Sequence, residues 1–248
     1  MRMHAHDDRF ALTRRALALG ALTSVVTPAL AQEAPAEQRV LFIGNSLTYT
    51  NNLPALVEAV FTGAGLGAVA EMVAKPAFSL GDHWHAPARE AHKAIARGGW
   101  STVVMQQGSS AQPESRRDLR RDAKRFAESI AAVGARPALY CVWPRDGSWS
   151  DFDRVIESYR LAADDIGALF FPVGAAWRAA PRDIRLYSPD GLHPSVYGSY
   201  LAALVIFAVL SGESPVGLPN VLTFKDGARG RLPEDVVKTL QDAAAAVV

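Results

Sequence analysis

The chain has 248 residues, of which 49% are apolar and 21% charged, and its formal net charge is +1. This composition suits one folded domain with a sizeable core, and the near-neutral charge removes the electrostatic basis for nucleic-acid binding. Cys141 is the single cysteine, so an intrachain disulfide is excluded. Its position in the apolar run 138–143 predicts a buried strand residue rather than a nucleophile.

The first residues have the features of an export signal. Arg14 and Arg15 precede the apolar stretch 16–26, and the Ala-Leu-Ala sequence at 29–31 offers the small residues that a signal peptidase reads. The segment 13–17 also resembles a twin-arginine signal, so the export route stays open between the general secretory and twin-arginine pathways.

The export signal sets the predicted domain boundaries. We expect cleavage after Ala31, which makes residues 1–31 the signal peptide, residues 32–38 a flexible leader and residues 39–248 the folded domain. Removal of residues 1–31 takes away four arginines and two aspartates, which brings the formal net charge to −1. The mature protein is expected to be periplasmic or secreted, with no integral membrane segment.

Beyond the leader, apolar runs of strand length alternate with amphipathic runs of helix length. Strands are predicted at residues 39–43, 68–73, 102–105, 137–142 and 168–173. Helices are predicted at residues 53–62, 80–97, 113–133 and 152–165, from Pro194 through the apolar run 201–210, and at 236–248. Strands separated by helices form βαβ units with right-handed crossovers, so the alternation predicts an α/β fold with a parallel sheet covered on both faces.

Ser46 is the first candidate for chemistry. The strand at 39–43 ends abruptly in Gly44, Asn45 and Ser46, which places the serine at the carboxyl end of the strand. In an open α/β sheet, ligands bind at that edge. Asparagine and serine are also ordinary turn and helix-cap residues, so Ser46 needs a base and an acid from elsewhere in the chain.

Asp190 and His193 supply those two groups. They lie three residues apart, and Gly191 between them permits a tight turn. The carboxylate can then contact one imidazole nitrogen while the other nitrogen faces a cleft, as a general base and its orienting acid require. The same residues would also fit a plain turn with a capping aspartate.

Together, the stretches Gly44-Asn45-Ser46-Leu47 and Asp190-Gly191-Leu192-His193 resemble the first and last signature blocks of the SGNH (GDSL-type) hydrolases. The resemblance implies a flavodoxin-like three-layer α/β/α domain with Ser46 as nucleophile, His193 as base and Asp190 as the third member of a triad. Asn45 stands where the family usually has aspartate, a change that keeps the nucleophile in place.

The resemblance also implies an oxyanion hole built from three blocks of sequence. In the family, the donors are the N–H of the nucleophile, a glycine N–H from a second block and an asparagine side chain from a third. In the second block of this chain, either Gly81 is the donor or Ala77 has replaced the glycine. The third block reads Gln106-Gln107, which resembles the glutamine-containing form found in sialate-acetylesterase-like branches. We favour Gln106, at the strand end, over Gln107 as the side-chain donor.

Several aromatic and histidine residues need separate consideration. His83 and His85 are a poor metal pair, because residues two apart on a helix do not share a face and no further ligand completes the set. Three tryptophans near the predicted active edge could stack on a sugar, although core packing is the default for each. These are Trp143, Trp149 and Trp177.

The sequence therefore predicts an exported serine esterase that needs neither cofactor nor metal. Its expected substrate is a small acyl ester, an O-acetyl group on a carbohydrate or cell-envelope glycan, cleaved through an acyl-Ser46 intermediate. A lipase or arylesterase, an acyltransferase on the same scaffold and a non-catalytic glycan-binding domain remain as alternatives. The expected partner is a small-molecule or glycan ester, and the oligomeric state stays open.

Overall fold

The computed structural model describes residues 37–248. The predicted signal peptide and nearly all of the predicted leader lie outside the described residues. The centre of the fold is a five-stranded parallel sheet with the strand order β2-β1-β3-β4-β5. The strands are β1 (Gln38–Gly44), β2 (Ala68–Ala74), β3 (Thr102–Met105), β4 (Arg136–Tyr140) and β5 (Leu169–Phe171).

This strand order is that of the flavodoxin-like folds, and it confirms the predicted fold class. The chain leaves β1 toward β2 on one side and later returns to β3 on the other side. Two crossover connections therefore diverge at the carboxyl ends of β1 and β3. In such a sheet, this divergence opens a crevice in which ligands bind.

The central strands are apolar because both of their faces are covered. All of β3, and the last five residues of β1, are buried. The structure gives β3 the same bounds as the sequence prediction and keeps the other four predicted strands to within one or two residues at each end. A strand covered on both faces reads as an unbroken apolar run, which makes it easy to recognise in a sequence.

Helices cover the two faces of the sheet. On one side, α2 and α9 both contact α8; elsewhere α5 contacts α3, α4 and α6, and α7 contacts α6, α8 and α9. The helices are α1 (Ser46–Tyr49), α2 (Leu53–Gly63), α3 (Leu80–His85), α4 (Glu90–Ala96), α5 (Pro113–Ala131), α6 (Phe152–Asp164), α7 (Val173–Ala179), α8 (Val196–Ser211) and α9 (Glu234–Ala245).

Helix α8 is apolar on all sides because other elements enclose it. Every residue from Gly198 to Ala208 is buried, and α2, α7 and α9 all pack against this helix. A helix that is hydrophobic all round is a core helix or a membrane span. Within residues 37–248, no helix combines the length and hydropathy that crossing a membrane requires.

The predicted helix 80–97 is wrong as a single element. The structure divides it into α3 and α4, and the chain between them is extended at Ala86 and left-handed at Arg89. Pro87 explains the break, because a proline disfavours helical geometry in the residue before it and lacks an N–H for the helix ladder. The break therefore had a visible signal in the sequence.

Two further features were not predicted. Helix α7 follows β5 directly, where the sequence suggested only a loop. An antiparallel hairpin of two three-residue strands, β6 (Val221–Thr223) and β7 (Arg229–Arg231), lies between α8 and α9. Elements this short contain too few residues for a periodic pattern to emerge.

Candidate active site

The turn after β1 presents Ser46 at the start of α1. Asn45 caps this short helix, since its Oδ1 accepts a hydrogen bond from the Leu47 N–H at 3.0 Å. Within residues 37–248, no protein acceptor engages the Ser46 N–H. Gly44 is required here because a Cβ would collide with the side-chain oxygens of Gln106 and Thr48. The turn thus exposes both the hydroxyl and the backbone N–H of one serine.

His193 and Asp190 form a hydrogen-bonded pair in the loop before α8. His193 Nδ1 lies 2.5 Å from Asp190 Oδ2, and Asp190 Oδ1 accepts the N–H groups of Leu192 and His193 at 2.9 and 3.0 Å. These three hydrogen bonds, led by the one from the imidazole, hold the pKa of Asp190 well below its usual value. The carboxylate therefore stays ionised and fixes the orientation of the ring.

Ser46 and His193 line the same cavity, which we call the active-site cavity. Its volume is about 720 Å³, and it lies at the carboxyl edge of the sheet beside the divergence of β1 and β3. Ala77, Gln107 and Asp151 also contribute to its wall. In the described part of the chain, no direct hydrogen bond joins the Ser46 hydroxyl to His193. A catalytic hydrogen bond of this kind often tightens only when substrate binds.

The two candidate donors of the second block, Ala77 and Gly81, differ in location and in backbone conformation. Ala77 lines the active-site cavity, and its φ of +59° lies in the left-handed region that favours glycine. Its N–H has no acceptor among the described residues. Gly81 instead lies inside α3 and outside this cavity, and a Cβ there would come within 2.8 Å of Asp122 Oδ2. Gly81 therefore has a packing reason to be glycine, and Ala77 has the backbone conformation and location of a donor.

The two glutamines of the third block also differ. Gln106 is fully buried, and its amide holds the Ser46 turn: Oε1 accepts from the Asn45 N–H at 2.9 Å and from Thr48 Oγ1 at 2.8 Å. Its Nε2 donates to Asn45 Oδ1 at 3.0 Å and to the Gln107 carbonyl. Both N–H groups of Gln106 are thus engaged, and its side chain does not line the active-site cavity.

Gln107, by contrast, reaches the active-site cavity. Its Oε1 accepts from the Leu80 N–H at 3.1 Å, and its Nε2 donates to Ser110 Oγ at 2.9 Å. The other contact of Nε2, to the Ser115 carbonyl, is long at 3.5 Å. One amide hydrogen of Gln107 is therefore only weakly held. Gln107 thus borders the active-site cavity, whereas Gln106, the residue favoured from the sequence, does not.

His83 supports the Ser46 turn, a contact that the sequence did not predict. The imidazole is 2% exposed, and its Nε2 donates to the Gly44 carbonyl at 2.7 Å. Burial lowers the pKa of His83, so the neutral ring is favoured in this position. His85 is exposed and lies outside the active-site cavity. Across residues 37–248, no three potential ligands cluster as a metal site requires.

The three tryptophans divide between core and surface. Trp143 and Trp177 are buried and stack on each other with ring centroids 3.5 Å apart. Trp149 is 42% exposed and lies at the rim of a neighbouring cavity.

Cys141 is buried as predicted, one residue beyond the end of β4, and burial raises the pKa of its thiol to about 12. A thiol with that pKa is a poor nucleophile at neutral pH.

The fold and the site together define a class of protein: a flavodoxin-like α/β domain that presents a serine and an Asp–His pair at the switch point of its sheet. A solved structure from Slackia heliotrinireducens, described as an SGNH hydrolase, is 31% identical to this chain with a TM-score of 0.62. The match covers 71% of this chain and all of the other. The chain belongs to the SGNH hydrolase family.

More distant structures share the fold. A DUF4886 family protein from Bacteroides uniformis is 17% identical over 85% of this chain and 94% of its own, with a TM-score of 0.69. A lipase/acylhydrolase from Enterococcus faecalis is 15% identical over 71% of this chain and 96% of its own, with a TM-score of 0.58. No protein-family model matches the chain, and no curated protein matches it significantly.

Proposed function

We propose that this SGNH hydrolase is a serine esterase that cleaves a small acyl ester, an O-acetyl group on a carbohydrate, through an acyl-Ser46 intermediate. The observation that carries the proposal is the shared cavity, in which the Ser46 turn faces an imidazole already paired with a carboxylate. A serine that shares a cavity with a histidine, when an acid is hydrogen-bonded to that histidine, provides the three members of a nucleophilic triad.

The proposed roles follow from the contacts of each residue. His193 Nε2 takes the proton from Ser46 Oγ as the hydroxyl attacks the ester carbonyl, and then gives it to the leaving alcohol. Asp190 accepts from Nδ1, which keeps the base nitrogen Nε2 free of a proton in the resting state and stabilises the imidazolium when it forms. Water then attacks the acyl-enzyme with the same histidine as base.

The proposed oxyanion donors are the backbone N–H groups of Ser46 and Ala77, with the side chain of Gln107 as a third. Both N–H groups lack an acceptor within residues 37–248, and all three residues border the active-site cavity. Gln106 would act indirectly, by holding the turn that carries Ser46. Donors that are already oriented toward the developing charge stabilise the transition state without reorganisation.

The Gln106 and Gln107 roles can be separated by experiment. Gln107→Ala should lower kcat by about a hundredfold because it removes an oxyanion donor, and it should also lower the melting temperature because the buried Leu80 N–H loses its acceptor. Gln106→Ala should lower the melting temperature as well, because it leaves the buried Asn45 N–H without an acceptor. At a temperature at which both variants are folded, kcat should fall further in Gln107→Ala, and an equal or larger fall in Gln106→Ala would contradict this division of roles.

The lining of the active-site cavity combines polar and apolar residues. Serine side chains at positions 79, 109, 110 and 115 contribute to the wall, with Gln107, Gln112 and Asp151. Apolar residues border the same cavity and offer a surface for the acyl part of an ester: Leu47, Tyr49, Phe78, Ala111 and Leu192. An acetyl group on a hydroxyl-rich sugar fits a wall of this character.

We further propose that residues 1–31 direct export of the enzyme, as supported by Arg14, Arg15 and the apolar stretch that follows. Mass spectrometry of the protein recovered from the periplasm or medium of an expressing cell would test this. An N-terminus at Gln32 is the expected result. Retention of residues 1–31 on the recovered protein would contradict it.

Fluorophosphonate labelling with peptide mapping tests the catalytic proposal. We expect one adduct on Ser46, its loss in Ser46→Ala and its retention in Ser109→Ala, a matched change in another serine of the same cavity. Hydrolysis of p-nitrophenyl acetate should disappear with the adduct. A labelled serine other than Ser46, or undiminished hydrolysis by Ser46→Ala, would refute the proposal.

A further inference from the structure

A second cavity lies next to the active-site cavity, and we call it the side cavity. It has a volume of about 630 Å³ and is formed by the segments 146–152 and 177–189. Neither the nucleophile turn nor His193 contributes to its wall. The cavity therefore has no part in the chemistry proposed for Ser46.

The two cavities share their dividing walls. One wall is the 3₁₀ turn Trp149–Asp151, whose first residue lines the side cavity and whose last residue lines the active-site cavity. The other is the loop that carries the Asp–His pair: Ser188 and Pro189 face the side cavity, while Leu192 and His193 face the active-site cavity. A 3₁₀ turn rises only about 2 Å per residue, so the residues that line the two cavities from this turn lie close together along it.

The segment just before Trp149 is hydrogen-bonded to the loop that carries Asp190. The Asp146 N–H donates to the Gly191 carbonyl at 2.8 Å, and Arg145 Nη1 donates to the Asp190 carbonyl at 3.3 Å. These bonds hold the turn before Trp149 against the loop that orients His193. The rim of the side cavity is thus fixed relative to the base rather than attached to a separate part of the fold.

Trp149 is the most conspicuous side chain at this rim. Its indole rests on Phe152 with ring centroids 4.8 Å apart, and the Arg182 guanidinium lies 4.2 Å from its ring centroid. Despite these two neighbours, 42% of the residue remains exposed. A partly exposed aromatic ring at a cavity rim offers an apolar surface, and the adjacent Arg182 guanidinium is a hydrogen-bond donor.

The charges around the side cavity balance. Two aspartates and two arginines line it, so the positive and negative charges are equal in number. These residues are Asp146, Asp183, Arg182 and Arg185. An anionic ligand would require an excess of arginine or lysine, and an acyl chain would require a mainly apolar wall. A neutral ligand with many hydroxyl groups and a flat apolar face satisfies both the charged side chains and the exposed ring.

We propose that the side cavity is a binding subsite for a neutral oligosaccharide chain whose acetylated unit lies at Ser46. This inference rests on the proposed esterase activity and extends it, because it identifies the substrate as a polymer or oligomer rather than a single acetylated sugar. Trp149 stacks on a sugar ring of the chain, and Arg182 donates to its hydroxyl groups. The chain passes over the turn Trp149–Asp151 to reach the nucleophile.

A chain-length comparison tests the proposal. The kcat/KM is measured on acetylated xylose and on acetylated xylotetraose, with p-nitrophenyl acetate as a substrate too small to reach the side cavity. We expect the tetrasaccharide to be preferred over the monosaccharide by about three- to tenfold, because it gains one aromatic stacking contact. Trp149→Ala and, independently, Arg182→Ala should reduce this preference ratio, mainly through KM.

The control is Val216→Ala, which removes another exposed apolar side chain that lines neither cavity and should keep the ratio of the parent enzyme. Absence of a chain-length preference, or a preference that survives both Trp149→Ala and Arg182→Ala, would overturn the subsite while leaving the esterase proposal standing. Failure of the parent enzyme to hydrolyse p-nitrophenyl acetate would instead overturn the esterase proposal and the subsite with it. A fall in activity on all three substrates by the same factor would show that Trp149 only supports the His193 loop, and would also overturn the subsite.

Discussion

Replacement of Asp190 by asparagine removes the negative charge of the carboxylate and keeps the shape of the side chain. In the parent structure, Oδ1 accepts two backbone N–H groups and Oδ2 accepts His193 Nδ1. An asparagine that keeps its oxygen toward the backbone must turn its NH₂ group toward Nδ1. The ring would then carry its proton on Nε2, the atom that has to accept the proton of Ser46.

The size of the effect follows from these contacts. A hydrogen bond to a charged group contributes about 1.5–3 kcal/mol, which corresponds to roughly 10- to 150-fold in rate, and the unfavourable tautomer adds to this loss. A buried acid in the serine-protease template gives about 10⁴-fold. The Asp190 side chain is 51% exposed, so water screens its charge and reduces its electrostatic effect on His193. We therefore expect kcat to fall by about 10²- to 10³-fold.

The assay is hydrolysis of p-nitrophenyl acetate by purified Asp190→Asn, with circular dichroism to establish that the variant is folded. Asp226→Asn is the matched control, because Asp226 makes a similar turn contact, to the Ala228 N–H, far along the chain in the β6–β7 hairpin. A folded Asp190→Asn whose kcat stays within about threefold of the parent, a change of less than 1 kcal/mol, would refute the orienting role of the carboxylate.

Three further changes probe the supports of the site. Gly44→Ala should lower stability by about 1–3 kcal/mol in chemical denaturation, because its Cβ collides with the buried Gln106 amide. Asn45→Asp, the usual family residue, should cost about 1–3 kcal/mol, because Asn45 Nδ2 donates to the Phe78 carbonyl at 3.0 Å and a carboxylate cannot. Burial lowers the pKa of His92 from 6.5, so the unfolded state binds its proton more readily and stability falls as the pH drops below about 6.5. His92→Phe should reduce that fall between about pH 7 and pH 5 in thermal unfolding.

Each of these changes has a control of the same type. Gly108→Ala adds a Cβ with no atom within 4 Å and should leave stability unchanged. Asn52→Asp changes an exposed asparagine and is the control for Asn45→Asp, so it should keep the stability of the parent. His85→Phe changes an exposed histidine and is the control for His92→Phe, so it should keep the pH dependence of the parent. His83 also has a pKa lowered by burial, so some loss of stability at low pH will remain in His92→Phe. A pH dependence identical to that of the parent in His92→Phe would contradict the assignment, as would parent-like stability of Gly44→Ala or Asn45→Asp.

The parts of the fold that could be predicted are those whose signal is local and long. The strand β3 was recognised to the residue, because burial on both faces leaves Thr102 as its single polar residue. The single predicted helix 80–97 was wrong although Pro87 marked the break. Helix α7 and the β6–β7 hairpin were missed because three- to seven-residue elements take their structure from the surfaces they pack against.

The sequence by itself determined the family and two local pieces of the site. The Asp190–His193 pair joins residues three positions apart, and the turn after β1 contains the short-range bond from the Leu47 N–H to Asn45. Hydrogen bonds along a short stretch of chain therefore shape both, and Gln106 and His83 hold the turn from farther along the chain. Such bonds form in the same way wherever the stretch occurs, which is why a motif carries so much information.

Only the tertiary structure decided which residues of the second and third blocks face the cavity. Ala77 and Gly81 lie four residues apart, and Gln106 and Gln107 are adjacent, yet in each pair only one residue lines the active-site cavity. Gly81 is half-buried beside Asp122, and Gln106 is buried behind the Ser46 turn. That division depends on where α3 and the end of β3 pack against the Ser46 turn. Contacts between residues some 30 to 60 positions apart are set by the packing of whole elements, and no short pattern in the sequence encodes them.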